Sequence, residues 1–508
     1  MIAFMAPLVL ASGAASAAPA PQEQAQEQEP RQPVPIPAPL PIPQDKASAD
    51  TTQLPQGARA PIVTWDGRVL QEPDPAFHPI NHEENYASFR DVRDANLWTK
   101  LKYIPIAPDV YGTLGGELRL RGELRPGERF GAGPQDDDGN FQIRARLWGD
   151  VHIGRQDSAS LRAFVDIEHA TTSGLESVEA TIDEGRADFN QAFLEARVPI
   201  GSGEIKARVG RQEVGLGGYT VFDMREGANT RRSLDLVRVI GKAGRIDGGF
   251  MIGHPVTERK GSFDDATNTD YDLWGLNAGY GFGKGAHSGR VEAIFVATDA
   301  LRGFDSVDPA ARDERRTLSL RLAGIDGPWN YSLEGIRQWG SNGPRDIDAY
   351  YLTAQGSYSF KAPWKPQLGL RFDLGSGDKD PNDGKLGTYS PLFPRPLTYN
   401  GDLGPHNLTI LQPSLGLAPA KGLSLNLSMA GLWRTSVHDA VHSLGGAVIR
   451  SGDSSNARYF ATRYSVSGRY ALNPFTTIGF YTNYSDLADA FKPGRDLFYG
   501  ATYVTFRF

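Results

Sequence analysis

The sequence predicts an all-β fold, a single-chain transmembrane β-barrel of about 18 antiparallel strands. Three observations support this prediction. Segments of about ten residues alternate apolar with polar side chains, as strands with two different faces do. The connections between these segments are alternately short and long. The chain ends inside such a segment, "FYGATYVTFRF", at Phe508. Pairing of this last strand with the first would leave no open sheet edge.

The N-terminus predicts export. Residues 1–17, "MIAFMAPLVLASGAASA", combine a short apolar segment with small residues that end in an Ala-Ser-Ala cleavage site. A transmembrane anchor is the alternative reading, but the apolar segment is too short to span a bilayer. We therefore predict a signal peptide.

Three further regions are distinguished by composition. Residues 18–60 are rich in Pro, Gln and Glu, which predicts a disordered periplasmic tether. Aromatic residues return in 61–105, which we interpret as a packed periplasmic lead-in to the barrel. The regular alternation then fills 106–508, the predicted barrel.

The overall composition excludes other classes. No run of 18 or more apolar residues occurs beyond the extreme N-terminus, which excludes a helical membrane protein. The chain has no Cys and a net charge of -7, so neither disulfides nor bulk attraction to nucleic acid is expected. Its basic residues are skewed toward Arg, with 40 Arg and 13 Lys. The planar guanidinium matches carboxylates, so the positions of the Arg are informative.

The alternation places charge on one face of many strands. In "GGELRLRGELR", residues 115–125, the Leu side chains face one way and the Arg and Glu side chains the other. The segment "FQIRARLWGDVHI", residues 141–153, splits in the same manner. A soluble sandwich also alternates, but it would not carry Arg opposite the apolar face of so many successive strands. The pattern predicts a lipid-facing apolar surface around a wet, charged interior, as in outer-membrane barrels.

The connections predict the strand number and the two ends of the barrel. Eight tight turns are "GRQDS", "PIGSGE", "KAGRID", "GFGKGAHS", "GIDGP", "KAPWK", "APAKG" and "LNPF". Nine longer, more polar loops lie between them. Short turns at the periplasmic end and long loops at the extracellular end are typical of outer-membrane barrels.

Opposite charges pair across the predicted hairpins, in which the numbers of paired residues sum to a constant. Closure at "GRQDS" with Ile153 opposite Ala159 predicts the opposite-charge pairs Asp150–Arg162, Arg146–Asp166 and Arg144–Glu168. Closure at "GSGE" predicts the opposite-charge pair Glu195–Arg208 and sets Arg197 opposite Lys206. We predict Asp150, Arg162, Asp166, Glu168 and Glu195 as salt-bridge partners in the lumen. Such pairs are also consistent with Arg that merely stiffen the wall.

Other Arg look under-compensated in the sequence. They are Arg119, Arg121, Arg371, Arg434, Arg463 and Arg469. A first hairpin whose paired numbers sum to about 265 would set Arg119 opposite Arg146 and Arg121 opposite Arg144. Like charges directly opposite destabilise a sheet unless they attract an anion.

Three stretches resemble the alginate export outer-membrane proteins. They are "ENYASFRDVRDANLWTKLKYIPIAPDVYGTLGGELRLRGE", "ARVGRQEV" and "LGLRFDLGSGDKDPNDGKLGTYSPLFP". The resemblance covers about 82–508 and leaves out the tether. It implies an 18-stranded barrel with an Arg-lined pore for an anionic polyuronate, with Arg211 and Arg371 as first candidates. The full predicted pore-lining set is Arg119, Arg121, Arg144, Arg146, Arg208, Arg211, Arg371, Arg434 and Arg463.

Metal and cofactor signals are weak, and we expect neither. His438 and His442 have the spacing of helical ligands, but they fall in a predicted external loop. "DKDPNDG" resembles a calcium loop whose Gly comes one position late, with Tyr389 where a bidentate Glu is needed. We interpret it, and the acidic triplet 136–138, as solvated loop; weak divalent binding near lipopolysaccharide is the alternative.

Three functional hypotheses remain open. The first is export of an anionic, alginate-like polysaccharide, and the second is a general or anion-selective diffusion porin for small solutes. The third is an outer-membrane enzyme on a barrel scaffold, for which no G-x-S-x-G, H-E-x-x-H or glycine-rich phosphate loop is present. Neighbouring genes for a polysaccharide polymerase and an epimerase would favour the first.

The expected location is the outer membrane, with both termini in the periplasm. Expected partners are an anionic polysaccharide, outer-membrane lipid and lipopolysaccharide, the barrel assembly machinery and periplasmic export components, and no nucleic acid.

Overall fold

A computed structural model describes most of the chain from Phe77 to Phe508. The described residues are 77–91, 96–132, 139–155, 157–175, 181–302, 310–393 and 402–508, with the paired short strands Ile62–Val63 and Val69–Leu70. The predicted signal peptide, the predicted tether and the acidic triplet lie outside the described residues.

Eighteen long strands form one closed barrel. The first nine are β1 Val110–Leu124, β2 Asn140–Ile153, β3 Ser160–Ser173, β4 Gly185–Ile200, β5 Gly203–Gln212, β6 Leu234–Ala243, β7 Ile246–Thr257, β8 Tyr271–Lys284 and β9 His287–Ala300. The second nine are β10 Asp313–Asp326, β11 Trp329–Asn342, β12 Arg345–Ser359, β13 Gln367–Gly375, β14 Leu408–Ala420, β15 Leu423–Arg434, β16 Tyr459–Asn473, β17 Thr476–Leu487 and β18 Leu497–Arg507.

The barrel closes between its last and first strands, as predicted. β18 pairs antiparallel with β1, from Gly500 opposite Leu124 to Arg507 opposite Glu117. The backbone of Phe508 continues the ladder, because its N–H and C=O bond with the C=O and N–H of Gly116 at 3.0 and 3.1 Å. A Cβ at residue 116 would meet the Phe508 ring at 2.4 Å. A side chain at residue 116 would therefore have to displace the terminal ring, and glycine leaves room for it.

The two faces of the strands separate as predicted. On β1 the outward Leu118 and Leu120 are 41% and 37% exposed, whereas the inward Arg119 and Arg121 are 5% and 3% exposed. Similar large apolar side chains cover the outside of the other strands. This surface is the apolar belt that a membrane-spanning barrel presents to lipid. Among the described residues, no helix is long and apolar enough to cross a membrane.

The eight predicted tight turns are all present, and most of the predicted long loops are long. The exception joins β11 and β12, which are connected by the two residues 343–344. The prediction of a long loop there was wrong, because a Gly and a Pro suffice to close that hairpin.

Two strand registers differ from the predicted ones by two residues. Arg119 lies opposite Arg144, and Arg121 lies opposite Gln142, so one pair of directly opposed Arg is present where two were predicted, and with a different partner. Likewise Ile153 of β2 lies opposite Leu161 of β3. A shift of two residues leaves each side chain on its own face, which is why the faces were right. At the β4–β5 hairpin the predicted pairs of Glu195 with Arg208 and of Arg197 with Lys206 are confirmed.

Part of the lumen is apolar, contrary to the prediction of a wet, charged interior throughout. The loop 213–233 between β5 and β6 folds inward, as does the described segment 376–393 of the loop between β13 and β14. Their Phe222 and Phe393 stack at 5.2 Å between ring centroids and belong to a cluster with inward side chains of β6 to β9, β11 and β12. A second cluster around Phe130, Phe460 and Tyr499 packs at the same end of β14 to β18.

The remaining elements are short. The helix α1, Leu97–Lys102, and the 3-10 turns Asn81–Glu83 and Ala87–Asp91 lie in the lead-in; further 3-10 turns are Glu128–Gly131, Gly452–Ser454 and Asp489–Phe491. Further short strands are Ile104–Ala107, Ala266–Thr267, Lys385–Leu386, Val441–His442 and Val448–Arg450. Lys385–Leu386 pairs in parallel with β12 beyond the end of the shorter β13, so the inward loop completes the wall there.

Candidate functional site

The densest group of lumen-facing Arg lies on β1 and β2. Arg119 and Arg121 alternate with outward Leu on β1, and Arg144 and Arg146 alternate with outward residues on β2, so the period of two places all four inside. Each of the four is at most 5% exposed. The structure thus brings these four predicted residues together.

The two Arg of β1 bind the tip of the inward loop 213–233. Arg119 Nη1 donates to the backbone oxygen of Glu226 at 2.8 Å, and Arg119 Nη2 donates to that of Ala228 at 2.5 Å. Arg121 donates to the backbone oxygen of Gly227 and is ion-paired with Glu123. Arg121 is therefore balanced by a carboxylate, which corrects the interpretation from the sequence, whereas Arg119 is bound by neutral backbone oxygens.

The two Arg of β2 lie among carboxylates. Arg144 Nε donates to Glu117 at 2.9 Å, and its Nη2 donates to the Glu226 carboxylate at 2.7 Å. Arg146 is ion-paired with Asp166 and with Glu213 at 3.2 Å, and Glu168 lies 3.8 Å away. Ionised donors and acceptors make strong hydrogen bonds, so this network holds β2, β3 and the inward loop together.

The lead-in binds the wall through Arg162 and Arg208. Arg162 forms a bidentate contact with Asp150 at 2.9 and 2.8 Å and donates to the backbone oxygen of His82 at 2.7 Å. Arg208 holds Glu195 at 2.8 Å, and its Nη1 lies 2.6 Å from His82 Nε2. The predicted pairs Asp150–Arg162 and Glu195–Arg208 therefore exist, and both also anchor the lead-in.

His82 and its neighbour Asn81 lie inside the barrel. Asn81 donates to Asp166 at 3.0 Å and accepts from Gln191 at 2.7 Å. The His82 ring packs edge-on against Phe164 and Phe193, at 5.9 and 5.2 Å between ring centroids. Burial lowers the pKa of His82 below its usual range, and the charge of Arg208 lowers it further. A neutral imidazole fits a position beside two guanidinium groups.

The lead-in and the inward loop meet inside the lumen. Ile80 packs with Tyr219 and Met224 in one buried apolar cluster. Arg231 Nη2 also donates to the backbone oxygen of Pro79 at 2.8 Å. The lead-in, which precedes β1 in the chain, and the inward loop, which follows β5, therefore contact each other inside the lumen.

Arg231, Glu213 and Glu226 of the inward loop belong to the site but were not predicted. Arg231 is fully buried, and its Nε donates to Glu213 at 2.5 Å. Burial raises the pKa of Glu213, but the charges of Arg231 and Arg146 outweigh burial and hold it at about 2. The alternation of side chains along strands does not predict whether a loop folds into the lumen. The adjacent Arg231 and Arg232 in a polar loop were the one sequence signal for a charged site there.

Two other predicted Arg face the lumen elsewhere on the wall. Arg371 on β13 contacts Asp373 at 2.7 and 3.1 Å. Arg463 on β16 donates to Asp402 at 2.5 Å and to Ser485 at 2.7 Å. A nearby carboxylate thus balances the charge of each guanidinium group, so the interpretation of these two Arg as under-compensated was wrong. They are not part of the group on β1 and β2.

Arg434 and Arg211 do not fit the predicted pore-lining role. Arg434, at the end of β15, donates to backbone oxygens of the loop 435–458, including that of Gly452 at 3.0 Å, and so fixes that loop. Arg211 shares its strand face with Val209, which is 52% exposed on the outside, and it pairs with Asp235 at 3.0 Å. The pairing on both sides runs through Gly210 without a register shift, so the pleat is not reversed there and the predicted lumenal position of Arg211 was wrong.

The loop histidines show local contacts. His442 is buried, and its ring nitrogens lie 3.0 Å from the Gly446 oxygen and 3.4 Å from Asp439. Within the described part of the chain, one cluster of three carboxylates could offer oxygens to a metal ion. Its members are Asp188, Asp264 and Asp265, whose oxygens lie within 4.8 Å of one another. Asp188 Oδ2 accepts the backbone N–H groups of the other two at 2.7 and 3.0 Å, so local hydrogen bonds account for this grouping.

The closed barrel, its lipid belt and its polar inner wall define an outer-membrane channel. The family model for alginate export matches residues 110–494, and the chain belongs to that family. No curated protein matches this chain in sequence.

Solved porins share the fold. The outer membrane protein OpdK from Pseudomonas aeruginosa is similar with a TM-score of 0.52 and 10% identity, over 78% of this chain and 98% of that one. OccD3 (OpdP) of the same organism is similar with a TM-score of 0.52 and 11% identity, over 80% of this chain and 93% of that one. At this identity the likeness concerns the fold alone. The family is one of export channels rather than enzymes.

Proposed function

We propose that this channel exports an anionic, alginate-like polysaccharide across the outer membrane along its lumenal Arg wall. The observation that carries the proposal is the row formed by Arg119, Arg121, Arg144 and Arg146, buried on the inner face of two adjacent strands. Membership of the alginate export family supports it.

Chemistry favours a uronate chain as the substrate. A polyuronate carries one carboxylate per sugar and several hydroxyl and ether oxygens between carboxylates. Guanidinium groups bind carboxylates in a planar, bidentate manner and also donate to neutral oxygens. Both kinds of contact are made by the wall, since Arg144 binds the Glu226 carboxylate while Arg119 binds backbone oxygens. Several weak sites in series allow passage, and no single Arg should be indispensable.

The orientation is part of the same proposal. Both termini lie in the periplasm, where the lead-in and the short turns meet: Phe475 of the turn between β16 and β17 contacts Phe77 and Trp98 at 6.3 and 5.9 Å between ring centroids. The polysaccharide enters from that side. Expected partners are outer-membrane lipid, lipopolysaccharide, the assembly machinery and periplasmic export components.

Block of single channels by sugar oligomers tests the proposal. The purified protein is reconstituted in a planar bilayer, and oligouronates or neutral oligoglucosides of equal length are added on each side. Export of a polyuronate predicts concentration-dependent block by the oligouronates and little by the neutral oligomers. Equal block by both, or block by neither, would overturn it.

A diffusion porin for small solutes is the second candidate. The inward loops support it, because they pack in the lumen around Phe222 and Phe393 and narrow the space for a polymer. OpdK, which has this fold, has been solved with vanillate, a small carboxylate. Current block by small carboxylates combined with indifference to oligouronates would favour the porin.

A further inference from the structure

The tip of the inward loop occupies the Arg wall with the same kinds of groups that a uronate chain would present. Three consecutive residues, 226–228, place three backbone oxygens and one carboxylate on the wall. Arg119, Arg121 and Arg144 donate to those backbone oxygens. Arg144 also donates to the Glu226 carboxylate at 2.7 Å. A tight turn, in which the Ala228 N–H donates to the Arg225 oxygen at 3.2 Å, thus presents several backbone oxygens and one carboxylate to the row.

The Glu226 carboxylate bridges two buried cations. Its Oε1 contacts Arg144, its Oε2 contacts Arg231, and both Arg side chains are 0% exposed. Burial is the main cause that lowers the pKa of Arg231. The charges of Arg146 and Arg144 also lower this pKa, whereas the charge of Glu213 raises it. Cations in this position attract a carboxylate strongly.

Glu226 differs from the other carboxylates of the cluster in its accessibility. Its side chain is 46% exposed, whereas those of Glu117 and Glu213 are at most 1% exposed. The two buried carboxylates are shared, Glu117 between Arg144 and Arg507 and Glu213 between Arg146 and Arg231. Of these three carboxylates, therefore, Glu226 is the one that can leave the cluster for solvent without opening the wall.

We propose that Glu226 is a resident competitor that occupies the carboxylate position between Arg144 and Arg231 until a substrate carboxylate displaces it. Displacement releases the segment 226–228 from Arg119 and Arg121, which then bind neutral oxygens of the incoming chain. The loop thereby selects for anions, because a neutral sugar cannot replace the bridging carboxylate. This inference rests on the proposed function.

The direct test compares channel block in Glu226→Gln and wild type. Without the resident charge, an oligouronate no longer competes with a carboxylate, so its dissociation constant for block should fall about tenfold, a usual size for one coupled contact. Glu258→Gln is the matched control, because Glu258 is a loop carboxylate paired with Arg225 at 2.7 Å rather than with the wall. Oligouronates should block this control variant with the same dissociation constant as wild type. Unchanged or weaker block in Glu226→Gln would overturn the inference.

A second measurement does not depend on the folding of that variant. The chain has no Cys, so Ala228→Cys introduces a single thiol at the loop tip. Oligouronate should raise its rate of maleimide labelling, and neutral oligoglucoside should not; unchanged or slower labelling counts against displacement. If oligouronates fail to block the wild-type channel, the proposed function itself fails. If they block wild type and Glu226→Gln equally, only the inference fails.

Discussion

At the scale of single residues, the lumen is built from Arg that each have a defined partner. Arg162 illustrates the point, since it binds both oxygens of Asp150 and also the lead-in. A buried carboxylate that loses its guanidinium is left as an uncompensated charge. We therefore expect the Arg of the wall to contribute both to stability and to the proposed anion binding, so substitutions need to separate the two effects.

Replacing Arg162 should destabilise the barrel more than it alters selectivity. Arg162→Met leaves Asp150 buried without its bidentate partner, an effect of about 3–5 kcal/mol for a buried pair. The temperature at which the folded band on SDS gels converts to the unfolded band measures this loss. Arg155→Met, at an exposed ion pair in the adjacent turn, is the control and should behave like wild type. Equal conversion temperatures for both variants would contradict the assignment.

His82 should make docking of the lead-in sensitive to pH. Its pKa is lowered in the docked state, chiefly by burial and then by Arg208, while Glu83 opposes this shift. An undocked His82 has a pKa of about 6.5, so the undocked state binds more protons as the pH falls below that value. Docking is therefore strongest above about pH 6.5 and weakens below it.

Labelling of a buried thiol measures that effect. Ile80→Cys reports undocking, because residue 80 is 5% exposed, and Ser88→Cys corrects for the pH dependence of the reaction itself. The ratio of the two rates should rise between pH 7.5 and 5.5 and become constant when His82 is changed to Gln. A constant ratio in the presence of His82 would show that its titration does not control docking.

At the scale of elements, the sequence predicted which side of each strand faces lipid but not every register. A period of two fixes the face of Leu118 or Arg119, and it is unchanged by a slip of two residues. The β4–β5 register was predicted correctly because residues 201–202 form a minimal turn that leaves little choice. The turn after β2 is longer, so the pairing of Ile153 was misplaced.

The inward loops were beyond what alternation can predict. Arg231 and Glu226 lie in a polar stretch with no periodicity, and only contacts distant in sequence place them against Arg144 and Arg146. Arg211 was misassigned for the opposite reason, because a shared motif was taken as evidence of a lumenal position that the pleat does not support. Side-chain direction in a strand depends on register with its neighbours, and motif identity does not report it.

The terminal residue should be needed for closure of the barrel. Deletion of Phe508 removes two backbone hydrogen bonds to Gly116 and the acceptor of the buried Lys102, whose Nζ donates to the Phe508 oxygen at 2.9 Å. Less folded protein should therefore accumulate in the outer membrane, as measured by heat-modifiable mobility. Phe508→Tyr, which keeps the backbone and the ring, should assemble normally. Normal assembly of the deletion variant would contradict this role.

At the scale of the whole molecule, the lead-in and the long loops approach from opposite ends of the barrel. This arrangement predicts that the exposed tip of the loop 376–407 faces the outside of the cell. An epitope inserted after Pro381, where residues 379–385 are exposed, should bind antibody on intact cells. An epitope in the turn between β10 and β11, at 327–328, should bind only after the outer membrane is permeabilised. The reverse pattern would invert the topology.

Ion selectivity tests the central claim, an anion path along the Arg wall, most directly. The measurement is the reversal potential of the wild-type channel in a planar bilayer with a salt gradient. Charges in a narrow lumen are screened less than on an open surface, so the account predicts preference for anions. It also predicts that the preference shrinks or reverses when Arg119, Arg371 and Arg463 are changed together to Glu. A wild-type channel that prefers cations, with a reversal potential unaffected by those changes, would contradict it.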